Sequence, residues 1–324
     1  MRGARRRPTL AALALLAVLP ATAVAGSPDG AARAPRAVWT WEEDTERLVQ
    51  DEAAAERALQ LARREGIQTF YLYADSFQGR NLLQDDAAGW RRLLRRFHSS
   101  GITVHALLGS AYLHTERYVL PEHRAAAVAM VGRVLEFNAG GPSAARFDAI
   151  HFDIEPHQLD EWDTRREALL AGFLDMGSAF MALKRQAGSD IPIGPDIPFW
   201  LDGITLEWRG HRATVAEHAI GLFDFVTLMD YRNRADGGDG IVSHARTEME
   251  IAERLGKRVV IGLETGEGEL PKVTFKGLPR TRMEEELAAT ETAFRASPAF
   301  AGFAIHHYST WQAWLSATPE PATR

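Results

Sequence analysis

The segment Phe147-Asp-Ala-Ile-His-Phe-Asp-Ile-Glu155, followed by Pro156, decides the fold and carries the strongest functional signal in the chain. The alternation of its residue types predicts a β-strand, in which successive side chains point to opposite faces. One face of this strand is apolar and consists of Ile150, Phe152 and Ile154. The other face is polar and consists of His151, Asp153 and Glu155.

Long helical segments flank this strand, so we expect both of its faces to be covered by the fold. A histidine and two carboxylates on an inner face lose hydration and have strained pKa values. Groups with such costs concentrate at working sites. The polar face of this strand therefore predicts the functional site.

Short apolar runs alternate with longer amphipathic stretches along the whole chain. Eight runs have the composition of strands: residues 37–41, 68–74, 102–108, 147–154, 191–194, 223–229, 259–263 and 302–306. Helices are predicted between most of them, over residues 45–65, 87–99, 161–186, 213–220 and 248–255, and three of these stop at a glycine. Eight such alternations predict a single (β/α)₈ barrel in the α/β class. A doubly wound sheet is the alternative, but Trp39-Thr-Trp41 stands where its glycine-rich phosphate turn would follow the first strand.

In a (β/α)₈ barrel, chemistry is located where strands end and βα loops begin. Acidic, aromatic and histidine side chains converge on these ends, whereas the opposite ends carry no such set. Besides Asp153 and Glu155, the candidates are Trp39, Trp41, Tyr73, Asp75, Asp196, Trp200, Asp230, Tyr231, Glu264, His306 and Tyr308.

Carboxylates among aromatic rings are typical of enzymes that cleave glycosidic bonds. Glu155 is the candidate general acid, and the like charge of Asp153 beside it would keep its proton available near neutral pH. His151 is expected to position these groups without contacting the substrate, for example by holding Asp153 through a hydrogen bond. Nine residues are expected to contact a carbohydrate substrate: Trp39, Trp41, Tyr73, Asp75, Asp196, Trp200, Asp230, His306 and Tyr308.

The segment from Asp148 to Glu155 resembles the strand-four signature Asp-x-x-Asp-x-Asp-x-Glu of family 18 glycoside hydrolases, the chitinase-like barrels. The segment Val226-Thr-Leu-Met-Asp-Tyr231 is similar to the Met-x-Tyr motif of that family. The resemblance implies that Glu155 is the proton donor and that Asp153 orients the N-acetyl group of the substrate. It further implies that Tyr231 donates a hydrogen bond to this group, whose oxygen is the nucleophile. The chain departs from the pattern at Ala149, at His151 in place of the middle Asp, and at Arg232 after the tyrosine.

A second resemblance involves Glu264, which ends the run Val259-Val-Ile-Gly-Leu-Glu264. Retaining glycosidases of the large barrel clan are similar, with an acid after strand four and a nucleophile after strand seven. Glu264 is therefore a candidate nucleophile, a base for water, or a substrate-binding acid. Retaining, inverting and substrate-assisted mechanisms remain open.

Two readings other than a glycosidase are also open. A metal-dependent barrel hydrolase could draw its ligands from His151, Asp153, Glu155, His157, His306 and His307. In a carbohydrate-binding barrel without catalysis, the aromatic side chains at the strand ends would bind the sugar and the carboxylates would have no catalytic role. The leading hypothesis requires neither a metal nor another cofactor.

The first 25 residues have the features of a cleaved export signal. Four arginines precede an apolar run over residues 10–24, and Ala23-Val-Ala25 resembles a cleavage site. We expect a linker over residues 26–36, the barrel over 37–318 and a tail over 319–324, with no stable membrane span. The protein is expected to be secreted or periplasmic.

Composition restricts the partners and the chemistry. The formal net charge is −6 and falls to −10 without the four arginines of the signal, which argues against nucleic acid as a partner. The chain has no cysteine, so thiolate nucleophiles and disulfides are excluded. We expect a monomer.

Overall fold

A computed structural model describes residues 33–318 of the chain. Its main element is a closed barrel of eight parallel strands, each paired with the next along the chain, with the last paired to the first. The strands β1 to β8 are Arg36–Thr40, Ile67–Tyr73, Thr103–Leu108, Ala149–Phe152, Ile193–Pro198, Phe225–Met229, Arg258–Glu264 and Phe300–His306. The predicted (β/α)₈ barrel is confirmed.

Helices cover the barrel from outside. In chain order α1 to α10 are Glu42–Gln50, Glu52–Glu65, Leu82–Asp85, Ala87–Ser99, Arg124–Ala139, Trp162–Gln186, Val215–Leu222, Ile241–Leu255, Arg280–Phe294 and Tyr308–Ala317. Two short hairpins are inserted, Ser76–Phe77 with Arg80–Asn81 and Thr205–Trp208 with His211–Thr214.

The predicted helix over residues 45–65 is wrong as a single element, because the structure contains two helices, α1 and α2, separated at Asp51. The backbone of Asp51 is extended, and its carboxylate accepts a hydrogen bond from the N–H of Ala53. This side chain therefore caps the second helix instead of continuing the first. The predicted glycine stops are correct at Gly66 and Gly256, where positive φ angles of 72° and 65° end α2 and α8.

The apolar face of the strand-four segment packs under the helices as predicted, since Ile150, Phe152 and Ile154 belong to the main hydrophobic core. The polar face turns into the barrel. There, His151 is fully buried and stacks on Tyr71, with ring centroids 4.0 Å apart. The interior of the barrel is thus filled with aromatic and imidazole rings.

His105 in β3 extends this interior layer beside the Tyr71–His151 stack. Its ring lies 5.0 Å from Tyr71 and 5.5 Å from Phe225, centroid to centroid. Burial lowers the pKa of His105 to about 3, so its ring is neutral at any ordinary pH. Sequence analysis did not identify His105, because a single histidine in an apolar run gives no signal of its surroundings.

The predicted export signal, most of the linker and the C-terminal tail lie outside the described residues. The barrel falls within the compact unit that begins at Ala34. Between residues 33 and 318, no helix is long and apolar enough to cross a membrane.

Candidate functional site

A pocket of about 590 Å³ opens at the carboxyl ends of the strands. Its walls come from the loops after β1, β3 and β4 and from the end of β8. The lining residues are Trp41, Glu42, Ser110, Ala111, Tyr112, His114, Thr115, Glu116, Asp153, Glu155, Gln158 and His306. Four of the predicted residues, Trp41, Asp153, Glu155 and His306, therefore meet in this pocket.

Asp153 is an acidic residue of the pocket lining whose pKa is clearly shifted. Burial, followed by the neighbouring charges of Glu155 and Asp196, holds the pKa of Asp153 well above its usual range. Among the described residues, its buried oxygen Oδ1 has no hydrogen-bond partner. Burial and the neighbouring charges thus favour the protonated form of Asp153 more than in an ordinary aspartate. The expectation that Asp153 keeps a proton available on Glu155 stays a prediction.

Glu155 lies at the edge of the pocket with about a quarter of its side chain exposed. Its Oε2 is 2.9 Å from Nε2 of His157. The His157 ring is in turn enclosed by Trp200 and Trp162, with centroids 5.3 and 6.1 Å away. Nδ1 of His157 is buried and has no hydrogen-bond partner among the described residues. His157 is therefore the polar side chain that lies against Oε2 of Glu155.

Asp196 on β5 links the strands beneath the pocket and is itself buried. Its Oδ2 accepts a hydrogen bond from Nε1 of Trp39 at 3.0 Å, and its Oδ1 lies 2.7 Å from Nε2 of His151. The expectation that His151 holds Asp153 is wrong, since its hydrogen bond goes to Asp196. Trp39 is 1% exposed and lies below the pocket, with His306 and Tyr71 packed edge-on against it.

Glu264 and His306 form the opposite end of the site. Nε1 of Trp41 donates to Nε2 of His306 at 3.2 Å, so the imidazole proton lies on Nδ1 and is donated to Oε2 of Glu264 at 2.7 Å. Oε1 of Glu264 accepts from the N–H of Gly266 at 2.5 Å. Both carboxylate oxygens of Glu264 are therefore already engaged, and the residue orients His306.

Tyr231 follows β6 and tilts over His306, with ring centroids 5.8 Å apart. Burial raises the pKa of the Tyr231 phenol well above its ordinary value, and the charges of Asp196, Asp153, Glu264 and Glu155 add to this effect. The hydroxyl is thus a permanent donor among carboxylates.

Seven of the nine predicted contact residues are absent from the lining of the pocket, namely Trp39, Tyr73, Asp75, Asp196, Trp200, Asp230 and Tyr308. Tyr73 is fully buried and donates from its hydroxyl to the carbonyl of Ser76. Asp75 is buried as well and pairs with Arg133 at 2.5 Å. These two residues organise the loop after β2. Their positions do not support the prediction that they contact a substrate.

Asp230 and Tyr308 lie on the outer side of the barrel. Oδ1 of Asp230 is 2.8 Å from Nδ1 of His244 in α8, and burial raises the pKa of Asp230 to about 6. Tyr308 begins α10 and packs against Phe70 in the core. Strand periodicity fails for both, because each comes one or two residues after its strand has ended.

Several pocket residues were missed by sequence analysis. Glu42 directly follows Trp41, and its position just after β1 was the one feature of the sequence that could have placed it in the pocket. Tyr112, Glu116 and Gln158 lie in short 3₁₀ segments or at their ends, where neither helix nor strand periodicity applies.

Residues 33–318 contain no group of three or more histidine, aspartate or glutamate side chains placed to hold a metal ion. The six proposed ligands are divided among separate partners. His151 faces Asp196, His157 faces Glu155 and His306 faces Glu264.

Comparison with solved structures finds the same barrel fold in other proteins. No protein-family model and no curated protein sequence matches the chain. The chain is similar to a GH5_18 structure from Streptomyces cattleya in complex with GlcNAc, at 14% identity and a TM-score of 0.56, over 85% of this chain and 71% of that chain. It is also similar to a family 1 β-glucosidase from Thermotoga maritima, at 10% identity and a TM-score of 0.55, over 86% and 88%.

A β-galactosidase from Rahnella sp. R3 matches at 11% identity and a TM-score of 0.55, over 84% of this chain and 50% of that chain. This chain thus spans half the length of that galactosidase. Chitinase domains match at a TM-score of 0.43, which is too low to bear on the family 18 resemblance. At these identities the comparisons show a shared barrel fold.

Proposed function

We propose that this protein is a glycoside hydrolase that cleaves a glycosidic bond of a polysaccharide or glycan in the pocket at the carboxyl ends of the strands. The observation that carries the proposal is the pairing of Asp153 with Glu155 at one wall of a 590 Å³ pocket. A buried carboxyl whose pKa is raised, beside a partly exposed carboxyl and with Trp41 in the same pocket, supplies the groups that glycoside hydrolysis requires.

In this proposal Glu155 protonates the glycosidic oxygen as the bond to the anomeric carbon breaks. His157 lies against Oε2 of Glu155, with Nε2 at 2.9 Å, so the acid proton is assigned to Oε1. The protonated Asp153 and the Tyr231 hydroxyl act as hydrogen-bond donors toward the substrate, and neither adds negative charge to the leaving group.

The placement of Glu264 favours a substrate-assisted or water-based attack over a covalent bond to Glu264. Its two oxygens are bound by His306 and Gly266, and releasing them would cost two hydrogen bonds. A substrate acetamido oxygen, as the family 18 resemblance implies, would meet Tyr231 and Asp153 as donors. Export, a monomeric state and activity without a cofactor belong to the same proposal and are supported by the sequence.

The direct test is Glu155→Gln, which keeps the shape of the side chain and removes its acid. We expect kcat on a cleaved glycan to fall by about 10³-fold or more, with an unchanged thermal unfolding midpoint. The matched control is Glu167→Gln, an exposed carboxylate on α6. A Glu155→Gln enzyme that retains more than a tenth of wild-type kcat would refute the assignment of the acid.

A further inference from the structure

The pocket carries far more negative than positive charge. Four carboxylate residues line it, namely Glu42, Glu116, Asp153 and Glu155, and no lysine or arginine is among its described lining residues. Several shielded carboxylates elsewhere in the described chain pair closely with arginine side chains. Glu65, for example, is 12% exposed and pairs with Arg280, and Asp75 pairs with Arg133.

Glu116 lacks such a close partner. Its side chain is only 15% exposed, yet its nearest cationic atoms are Nδ1 of His114 at 3.5 Å and Nε of Arg117 at 3.9 Å. Both distances exceed an ordinary hydrogen bond, and both bases point largely into solvent. Glu42 receives one hydrogen bond, from the hydroxyl of Ser110, and that donor is neutral.

Two further features of the pocket indicate that a ligand completes it. Tyr112 is 53% exposed, the largest exposed fraction of any large apolar side chain in the described residues, and it lines the pocket with its ring packed against Phe77. Asp153 lines the same pocket, and its buried Oδ1 has no partner among those residues. An open aromatic face and an unpaired polar atom in one cavity fit a sugar ring that stacks on Tyr112 and hydrogen-bonds to Asp153.

We propose that the substrate of this pocket is a cationic glycan, in which a hexosamine with a free amino group places its ammonium between Glu42 and Glu116. This inference rests on the proposed function and specifies its substrate class. An ammonium would supply charge-assisted hydrogen bonds to two carboxylates that accept no hydrogen bond from a basic side chain among the described residues, and Tyr112 would add a cation–π contact. A neutral or acidic glycan would leave Glu116 with its longer contacts to His114 and Arg117.

Glu42 follows β1 and Glu116 follows β3, whereas Glu155 follows β4. The amino sugar would therefore occupy the part of the pocket beneath the loops after β1 and β3, next to the sugar whose bond is cleaved. The N-acetyl group implied by the family 18 resemblance and the free amine proposed here would then belong to neighbouring sugars, so a partly de-N-acetylated chain satisfies both.

The test compares oligosaccharides that differ only in charge. Isothermal titration of full-length Glu155→Gln protein is performed with glucosamine pentamer, N-acetylglucosamine pentamer and a partly N-acetylated pentamer, at 20 and 500 mM NaCl. We expect an amine-bearing pentamer to bind at least tenfold more tightly than the fully acetylated one at low salt, and high salt to abolish this preference. Glu116→Gln and Glu42→Gln/Glu116→Gln variants in the same background should reduce the preference about tenfold, whereas Glu285→Gln, an exposed charge on α9, should not.

The outcomes separate this inference from the proposed function. The cationic-substrate inference is overturned if charged and neutral pentamers bind equally, or if the preference survives both Gln variants. Hydrolysis of a neutral glycan by the wild-type protein would in that case still support the proposed glycosidase. Failure to bind or cleave any of the three would count against both. Since Glu116 makes no short contact within the fold, Glu116→Gln alone tests the charge even if the double variant is unstable.

Discussion

At the scale of single residues, the site depends on which polar neighbour each carboxylate has. Glu155 has His157, Glu264 has His306 and Gly266, and Asp153 has an oxygen without a partner. These differences assign different roles to side chains of the same chemical type. Glu155 is left as the acid, Glu264 as the group that orients His306, and Asp153 as a proton-bearing neighbour.

His157 gives the first prediction at this scale. Its Nε2 lies 2.9 Å from Oε2 of Glu155, and losing a polar contact that positions the acid costs about 2 kcal/mol, so His157→Ala is expected to lower kcat about 30-fold. His157→Gln should recover most of this loss, because its amide N–H can reach Oε2. Steady-state kinetics on a cleaved glycan would measure both, with His211→Ala as the exposed control. Equal activity of His157→Ala and the wild type would remove His157 from the mechanism.

At the scale of secondary-structure elements, the pocket depends on close contact between the ends of β3 and β4. Gly109 follows β3 with a φ of +90°, and a Cβ at this position would lie 2.3 Å from the carbonyl oxygen of Asp153. Glycine is required at this position for two reasons, the positive φ and the approach of the next strand. The loop that carries Asp153 and Glu155 is therefore fixed by a residue that contributes no side chain.

Gly109→Ala is expected to destabilise the protein by about 3 kcal/mol and to reduce activity beyond the loss of folded protein, because the loop after β4 must move. Gly101→Ala is the matched control. Its φ of +76° is similar, but no atom lies within 4 Å of the added Cβ, so only about 1 kcal/mol of backbone strain is expected. Urea unfolding and kinetics of the two variants measure the difference, and equal losses would contradict a steric cause.

Helix α8 carries a buried acid, Glu248, which is completely inaccessible. Neither carboxyl oxygen has a hydrogen-bond partner among the described residues, and burial, with a smaller contribution from Asp202, raises the pKa of Glu248 to about 9. Between pH 4.5 and 9 the folded state therefore keeps a proton that the unfolded chain has lost. Stability must fall as pH rises through this window, by about 3 kcal/mol at pH 7.

Glu248→Gln removes this titration. We expect the free energy of unfolding to vary less with pH between 5 and 8.5 than in the wild type, and the variant to be the more stable protein at pH 8. Glu250→Gln, on the exposed face of the same helix, should keep the wild-type dependence. The prediction fails if the two variants have the same slope in chemical denaturation across this range.

At the scale of the whole molecule, Asp196 connects strands that are distant in the chain. It joins β5 to Trp39 of β1 and His151 of β4 across the barrel interior. Asp196→Ala leaves two buried N–H donors without an acceptor and should cost about 3 kcal/mol in the free energy of unfolding. The same change removes a charge that raises the pKa of Asp153, so that pKa should fall.

Denaturation with urea and carboxyl titration by NMR would measure the two effects of Asp196→Ala. Asp190→Ala, which removes an exposed carboxylate next to β5, is the control for the change in net charge. If Asp196→Ala unfolds at the wild-type urea concentration, the cross-barrel bonds do not hold the strands together.

The sequence alone was sufficient for the barrel and for the strand that carries Asp153 and Glu155. Both depend on periodicity, which is a local property: the eight apolar runs predicted the strands, and alternation from Ile150 to Glu155 predicted which side chains turn inward. The convergence of Trp41 and His306 on the same pocket followed from the barrel order, since all strand ends of a parallel barrel meet at one face.

Only the tertiary structure decided the hydrogen-bond partners. His151 bonds to Asp196 and not to Asp153, and Glu264 is bound to His306 and Gly266, because these contacts join residues that are 42 to 45 positions apart or depend on a loop without regular structure. The presence of Glu42 and Glu116 in the same pocket could not be predicted either, because each of them looks in the sequence like an ordinary solvent-exposed glutamate. Periodicity determines the face on which a side chain lies, whereas packing between distant segments determines its neighbours and its charge state.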